Sequence, residues 1–169
     1  MITHKVIHRK LTYNIIIMAT FIIIAILLFL VVLGIGLLSD KEFTCLSDAY
    51  YTMKTCFFPV MSIMAVCTLI PALTITPDNF TFLAFIMCGL IGFVGCAGDY
   101  KGDESKRKIH VISAYTSAVC SVAWVSVVCP WSLLWLAALP VAILDKPMRI
   151  LWLELMCFGM VFTALLVMV

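Results

Sequence analysis

Four side chains on one stretch of chain carry the first sign of chemistry. His110, Ser113, Ser117 and Ser121 follow i, i+3, i+7, i+11, so on a helix they share one face. Asp99 stands at the end of the apolar run just before them. Glu154 is the only Asp, Glu, Lys or Arg well inside any later apolar run. An imidazole and a carboxylate that approach each other in a dry setting can hold and pass a proton. A lone carboxylate in hydrocarbon costs about 2.5–3.5 kcal/mol. Glu154 is therefore expected to turn inward and meet His110, a serine of that stripe, or Tyr115. The alternative is an interfacial pairing with Arg149 or Lys146.

The elements that must position these residues follow from composition. Of 169 residues, 64% are hydrophobic and 12% charged, against about 25% charged in soluble domains. Such a chain cannot coat a globule in water, and hydrocarbon is the better solvent. A net charge of +2 is too mild to point to nucleic acid. No polar stretch is long enough to enclose a core of its own. The expected fold is all-α: a polytopic transmembrane bundle forming one domain over 1–169, with about six spans at 15–38, 57–75, 80–98, 109–128, 131–144 and 150–169.

The first of these has no charge from Ile15 to Leu37, longer than the about 7–15 apolar residues of a cleaved signal peptide. Pro59 falls in the first turn of the second span, where a missing N–H costs little, and Pro71 is expected to kink or stop its far end. The run 109–144 is too long for one helix and is broken at Cys129-Pro130-Trp131-Ser132. Its second part contains Pro140 and is short for a crossing, so the fifth span is expected to be short or re-entrant.

Small residues suggest how spans three and four meet. Gly89, Gly92, Gly95 and Gly98 recur every three residues, and glycine lets helix backbones approach closely in lipid. The serines of span four answer them. The expected contact sets Gly92 and Gly95 against Ser113 and Ser117, with Gly89 and Ser121 extending it, so that Gly92→Leu would overpack.

Six spans place the connections 40–54, 99–108 and 145–149 on one side. Orientation signals oppose each other: Lys5, Arg9 and Lys10 precede span one, while eight Lys and Arg lie in those connections. Tyr50 and Tyr51 read as an interfacial aromatic pair. Cys45 and Cys56 share the polar side and could form a disulfide if that side is oxidising. His4 and His8 have metal-compatible i, i+4 spacing, but a solvated basic tail is the better reading. No Walker loop, dinucleotide fingerprint, HExxH or CxxC occurs, and nothing calls for a cofactor or metal.

The segment LSDAYYTMKTCFFPVMSIMA, with ITPDNFTFLAFIMCGLIGFVG and the KIHVISA that follows, resembles stretches of a group of small, uncharacterised bacterial six-span membrane proteins. The likeness runs over roughly 46–124 and is carried by a SISAYYYT-like stretch. It implies architecture and a bacterial cytoplasmic membrane with the N-terminus in the cytoplasm, and no activity. Ser47, Asp99 and His110 are also similar in residue type to the site of alkaline-ceramidase-like membrane hydrolases, but a three-histidine zinc site cannot be built from one membrane-side histidine. An enzyme is thus the least favoured reading. Ahead of it stand a structural or regulatory protein that packs against a partner, and a proton- or small-solute-handling protein using His110 and Glu154. The expected partners are the bilayer and either a second copy or another membrane protein.

Overall fold

In hydrocarbon every backbone N–H and C=O must find its partner within the protein, and a charge-free run meets that demand most simply by coiling. The computed structural model, which describes residues 2–39 and 42–169 and side chains from Asn14 onward, shows this outcome throughout. The helices are α1 (Ile2–Leu37), α2 (Phe57–Ile75), α3 (Thr81–Cys96), α4 (Glu104–Val128), α5 (Leu139–Leu144) and α6 (Arg149–Met168). No strand occurs among the described residues, and the chain is an all-α bundle. Met1, Asp40 and Lys41, and the side chains of Lys5, Arg9, Lys10, His4 and His8, lie outside the described residues.

Five segments are long and apolar enough to cross a membrane: Asn14–Leu37, Leu46–Ile75, Asp78–Cys96, Glu104–Val128 and Arg149–Met168. Their outer faces leave large apolar side chains bare, among them Leu27, Leu30, Ile63, Phe85, Ile112 and Val119. A water-soluble surface does not tolerate patches of this extent, which marks a membrane protein.

Around the core, α3 packs between α2 and α4, α1 lies against α2, and α6 closes against α4 and α1. Trp124, Phe57, Ile22, Met64, Met87 and Met160 are fully buried. Phe29 joins α1 to α6 through ring contacts with Phe158 at 4.8 Å and Phe162 at 5.6 Å.

One boundary differs from expectation. Helix α4 begins at Glu104, five residues before the apolar run at Ile109, because Asp103 caps it by accepting from Ser105 N–H at 2.8 Å and Lys106 N–H at 3.3 Å. The second span runs from Phe57 to Ile75 as expected, with Pro71 held inside the helix rather than stopping it.

The fifth segment is resolved in an informative way. Trp124 at the end of α4 lies beside Thr76, whereas the start of α6 is bonded to the 44–46 connection at the opposite end. The intervening chain must therefore travel the full bundle. It does so with nine residues of 3-10 helix, Pro130–Ala138, followed by the six residues of α5. At about 2.0 Å per 3-10 residue and 1.5 Å per α residue the segment reaches about 27 Å, where fifteen α-helical residues would reach about 22 Å. It lies antiparallel on α6: Trp135 Nε1 donates to Thr163 Oγ1 at 3.0 Å, and Trp152 Nε1 to Asp145 Oδ2 at 3.0 Å. Gly159 gives the indole room, since a Cβ there would stand 2.7 Å from the Trp135 ring. Six traverses leave the N-terminal end of α1 and the C-terminal end of α6 at the same end of the bundle.

Candidate functional site

The polar side chains collect at the opposite end, around a residue that periodicity does not single out. The connection after α1 turns inward as a 3-10 turn, Leu46–Ala49, in which Leu46, Ser47, Asp48 and Ala49 are buried. A carboxylate there must be surrounded by donors. Asp48 Oδ2 accepts from Thr44 N–H at 2.9 Å, Thr44 Oγ1 at 2.9 Å and Cys45 N–H at 3.3 Å. Its Oδ1 accepts from Tyr100 Oη at 2.5 Å and pairs with Lys101 Nζ at 2.5 Å. Three donors come from its own connection and two from the connection after α3. The carboxylate thus fastens one to the other, with its acceptor positions filled.

The surrounding groups extend this clamp. Tyr51 Oη accepts from Lys101 N–H at 2.7 Å, and the Lys101 ammonium sits 5.3 Å from the Tyr51 ring centroid. Tyr50 packs over Gly98, where a Cβ would fall into the tyrosine ring. The tyrosine pair expected to act only as an interfacial belt is therefore also an internal prop. Cys45 Sγ lies 3.2 Å from Tyr100 Oη. Burial, with the neighbouring Glu154 carboxylate, pushes the Cys45 thiol from 9.0 up to about 12. Burial also pushes the Tyr100 phenol up, as does its bond to Asp48. For Lys101 burial opposes the charge, but the bond to Asp48 outweighs it and holds the ammonium above the ordinary lysine range.

The residues singled out from sequence are distributed around this clamp. Glu154 turns inward, and its Oε2 accepts from Leu46 N–H at 2.6 Å, beside a second link in which Leu151 N–H donates to the Thr44 carbonyl at 3.1 Å. Its recorded partner is thus a backbone amide. His110, a serine of the stripe, and Tyr115, expected as partners, do not bond to it; Tyr115 is 65% exposed. The interfacial cations Arg149 and Lys146 do not take that place either. The reason is the inward 3-10 turn, which carries a free amide down to the depth of Glu154.

His110 is buried and stacked on Tyr100, with ring centroids 4.5 Å apart and 16° between planes. Its ring lies against the backbone of Val94 and Ala97, yet Nδ1 has no hydrogen-bond partner among the described residues. Both His110 and Glu154 lie within electrostatic reach of Asp48. Asp99 stands apart at the rim, 3.9 Å from Lys106 Nζ. Ser47 is buried beside Asp48, and among the described residues no three His, Cys, Asp or Glu side chains converge as a metal would need.

The serine stripe and the glycines part company. Ser117 Oγ donates to the Met87 carbonyl of α3 at 2.9 Å, Ser121 Oγ to the Ser117 carbonyl at 2.8 Å, and Ser113 is buried beside them. Helices α3 and α4 do pack closely, and the contact recorded for a stripe serine is with the Met87 carbonyl on the buried face of α3. Gly89 and Gly92 have nothing within 4 Å of a Cβ position, and Gly95 meets Met61 of α2 at 3.0 Å. The expected contact of Gly92 and Gly95 with Ser113 and Ser117 is therefore corrected. Ser117 meets α3 at Met87, whereas Gly89 and Gly92 face open space and Gly95 faces α2. Cys45 and Cys56 are both free thiols, Cys45 buried against Tyr100 and Cys56 exposed, so no disulfide joins them.

No protein-family model matches this chain, and neither a curated protein nor a solved structure matches it.

Proposed function

We propose that this chain is a multi-pass protein of the bacterial cytoplasmic membrane that acts by binding a second membrane-spanning chain, a copy of itself or another protein, along α3. The observation that carries this reading is the outward glycine notch. Phe82, Phe85, Gly89, Phe93 and Cys96 are all exposed and run along one face of α3. A Cβ at Gly89 or Gly92 would meet open space. Glycine in a helix interior costs about 1 kcal/mol relative to alanine, and here no neighbour within the bundle makes use of the space. In lipid, such notches are where a second helix backbone approaches. Membership of the six-span group is part of the same reading, with the clamp around Asp48 holding the geometry that presents α3.

The test uses Cys96, seven residues beyond Gly89 on the same face. Oxidative cross-linking in native membranes is expected to trap a Cys96 adduct, and Gly89→Leu to abolish it while leaving thermal stability unchanged. An adduct indifferent to Gly89→Leu, or a chain that stays monomeric and unlinked, would sink the reading.

The N-terminus is placed in the cytoplasm, supported by Lys5, Arg9 and Lys10 flanking the first span. Exposed Cys56 at the polar end should then react with an impermeant thiol reagent in intact cells, and protection of Cys56 would reverse the orientation. A second reading, proton or small-solute handling at the polar end, is favoured by the unpartnered Nδ1 of buried His110. It requires that Glu154→Gln keep the fold and remove any pH-dependent behaviour.

A further inference from the structure

Between the first turn of α2 and the last turn of α3, at the polar end, lies an open cleft of about 590 Å³ lined by Tyr50, Tyr51, Lys54, Phe58, Gly95 and Asp99. Tyr50, Tyr51 and Phe58 give it an aromatic lining, and Gly95, packed against Met61 and Phe58 of α2, closes it on the α3 side. Phe58 and Cys96 at its mouth are exposed on the faces of α2 and α3 that lipid covers. Two unlike charges stand on its rim. Lys54 forms no ion pair among the described residues, and the only cation recorded at Asp99 is Lys106 at 3.9 Å. The other nearby ammonium, Lys101, is committed to Asp48. Lys54 is also the only described non-glycine residue with positive φ, at 48° with ψ −112°. An arrangement that glycine would adopt more easily here carries a lysine.

We infer that this cleft binds the headgroup of a zwitterionic phospholipid of the phosphatidylethanolamine type, phosphate to Lys54 and ammonium to Asp99. A simple anion is disfavoured because Asp99 repels it, and a simple cation because Lys54 does. A ligand holding both charges a few ångströms apart satisfies both rims. A primary ammonium can donate hydrogen bonds to the Asp99 carboxylate while resting against tyrosine faces. Acyl chains leave sideways along Phe58 into the bilayer, so the occupant is a lipid rather than a free solute. The reading does not rest on a partner at the α3 notch, whose midpoint at Gly89 lies nearly two turns deeper, although the two surfaces meet at Cys96.

The full-length chain is reconstituted in vesicles containing equal parts phosphatidylethanolamine and phosphatidylglycerol, and the lipid retained after detergent extraction is identified by native mass spectrometry. One retained phosphatidylethanolamine is expected. Lys54→Glu and Asp99→Lys are each expected to lower retention about tenfold, the equivalent of about 1.4 kcal/mol. Both side chains are at least partly exposed, so neither change should disturb folding. Thr55→Trp fills the cleft from its exposed rim with both charges intact and should also lower retention. Equal retention of phosphatidylglycerol, or retention unchanged in Lys54→Glu and Thr55→Trp, would overturn the proposal.

Discussion

At the polar end five donor atoms converge on the Asp48 carboxylate, whereas at the apolar end one indole N–H, that of Trp124, reaches the Thr76 hydroxyl at 2.7 Å. Thr76 in turn donates to the Ala72 carbonyl at 2.5 Å, within its own helix terminus. The first arrangement joins two connections of the chain, and Glu154 ties the start of α6 to the same turn. The second joins one side chain of α4 to the end of α2 and leaves the rest to apolar packing. A buried charge is tolerable only when its acceptors are filled. The end that carries one is therefore the end where several elements depend on each other. Loss at the apolar end should stay local, and loss at the polar end should spread.

The sharpest break of that contrast is Asp48→Ala. It leaves the Thr44 and Cys45 N–H groups and the Tyr100 hydroxyl without their acceptor, and should cost about 3 kcal/mol. A large fall in melting temperature and in membrane abundance is expected. Near-wild-type stability would mean that the clamp is ornamental.

Alkaline pH tests the same end without a mutation. Lys101 and Cys45 both have folded pKa values raised above their unfolded ones. The stability they contribute is fully present below the unfolded values and is lost as pH rises through the folded ones. For Cys45 that window runs from 9.0 to about 12. Alkylation of Cys45 should be slow at neutral pH, when exposed Cys56 reacts, and should rise together with amide exchange around Leu46 above pH 9 or so. Equal reactivity of the two thiols at neutral pH would contradict the burial of Cys45.

At the other end Trp124→Phe deletes one bond and leaves a small cavity, so about 1–2 kcal/mol is expected. Calorimetry of this variant beside Asp48→Ala measures the contrast directly, and equal losses would erase it. The smallest effect belongs to Gly92→Leu. Open space at its Cβ keeps the change within about 0.5 kcal/mol, where an intramolecular notch would have given about 1–3 kcal/mol of overpacking.

Much of the scaffold was legible because hydrocarbon imposes its own arithmetic: a charge-free run of some twenty residues has little choice but to be a helix. The inward face of α4 was legible for the same reason, since His110, Ser113, Ser117 and Ser121 fall on one side and are all buried. The glycines misled, because a spacing reveals which residues share a face and not which neighbour that face meets. The burial of Asp48 was not legible for a different reason. It sits in a connection rich in polar residues, where nothing in composition separates a buried acid from a solvated one. One local signal could have found it: an acid three residues after Cys45, reaching back to that residue's N–H as N3 acids do at helix starts. Glu154 was visible as an anomaly, but its partner is a backbone amide, and amides have no sequence signature.

The fifth traverse has a consequence for the bilayer itself. It is tied to α6 within its 3-10 part by Trp135 and just past its end by Asp145, and its stretched winding leaves little slack for a taller membrane. Rewinding Pro130–Ala138 as α-helix would shorten it by about 4.5 Å, and no comparable lengthening is open to it. The segment is therefore a one-sided ruler. A thin membrane is met by rewinding into the shorter, wider α-helix, whereas a thick one has to be drawn down around Leu144 and Trp131. The lipid beside this edge should be locally thinned and disordered, and the protein should partition toward the thinner regions of any membrane that offers a choice.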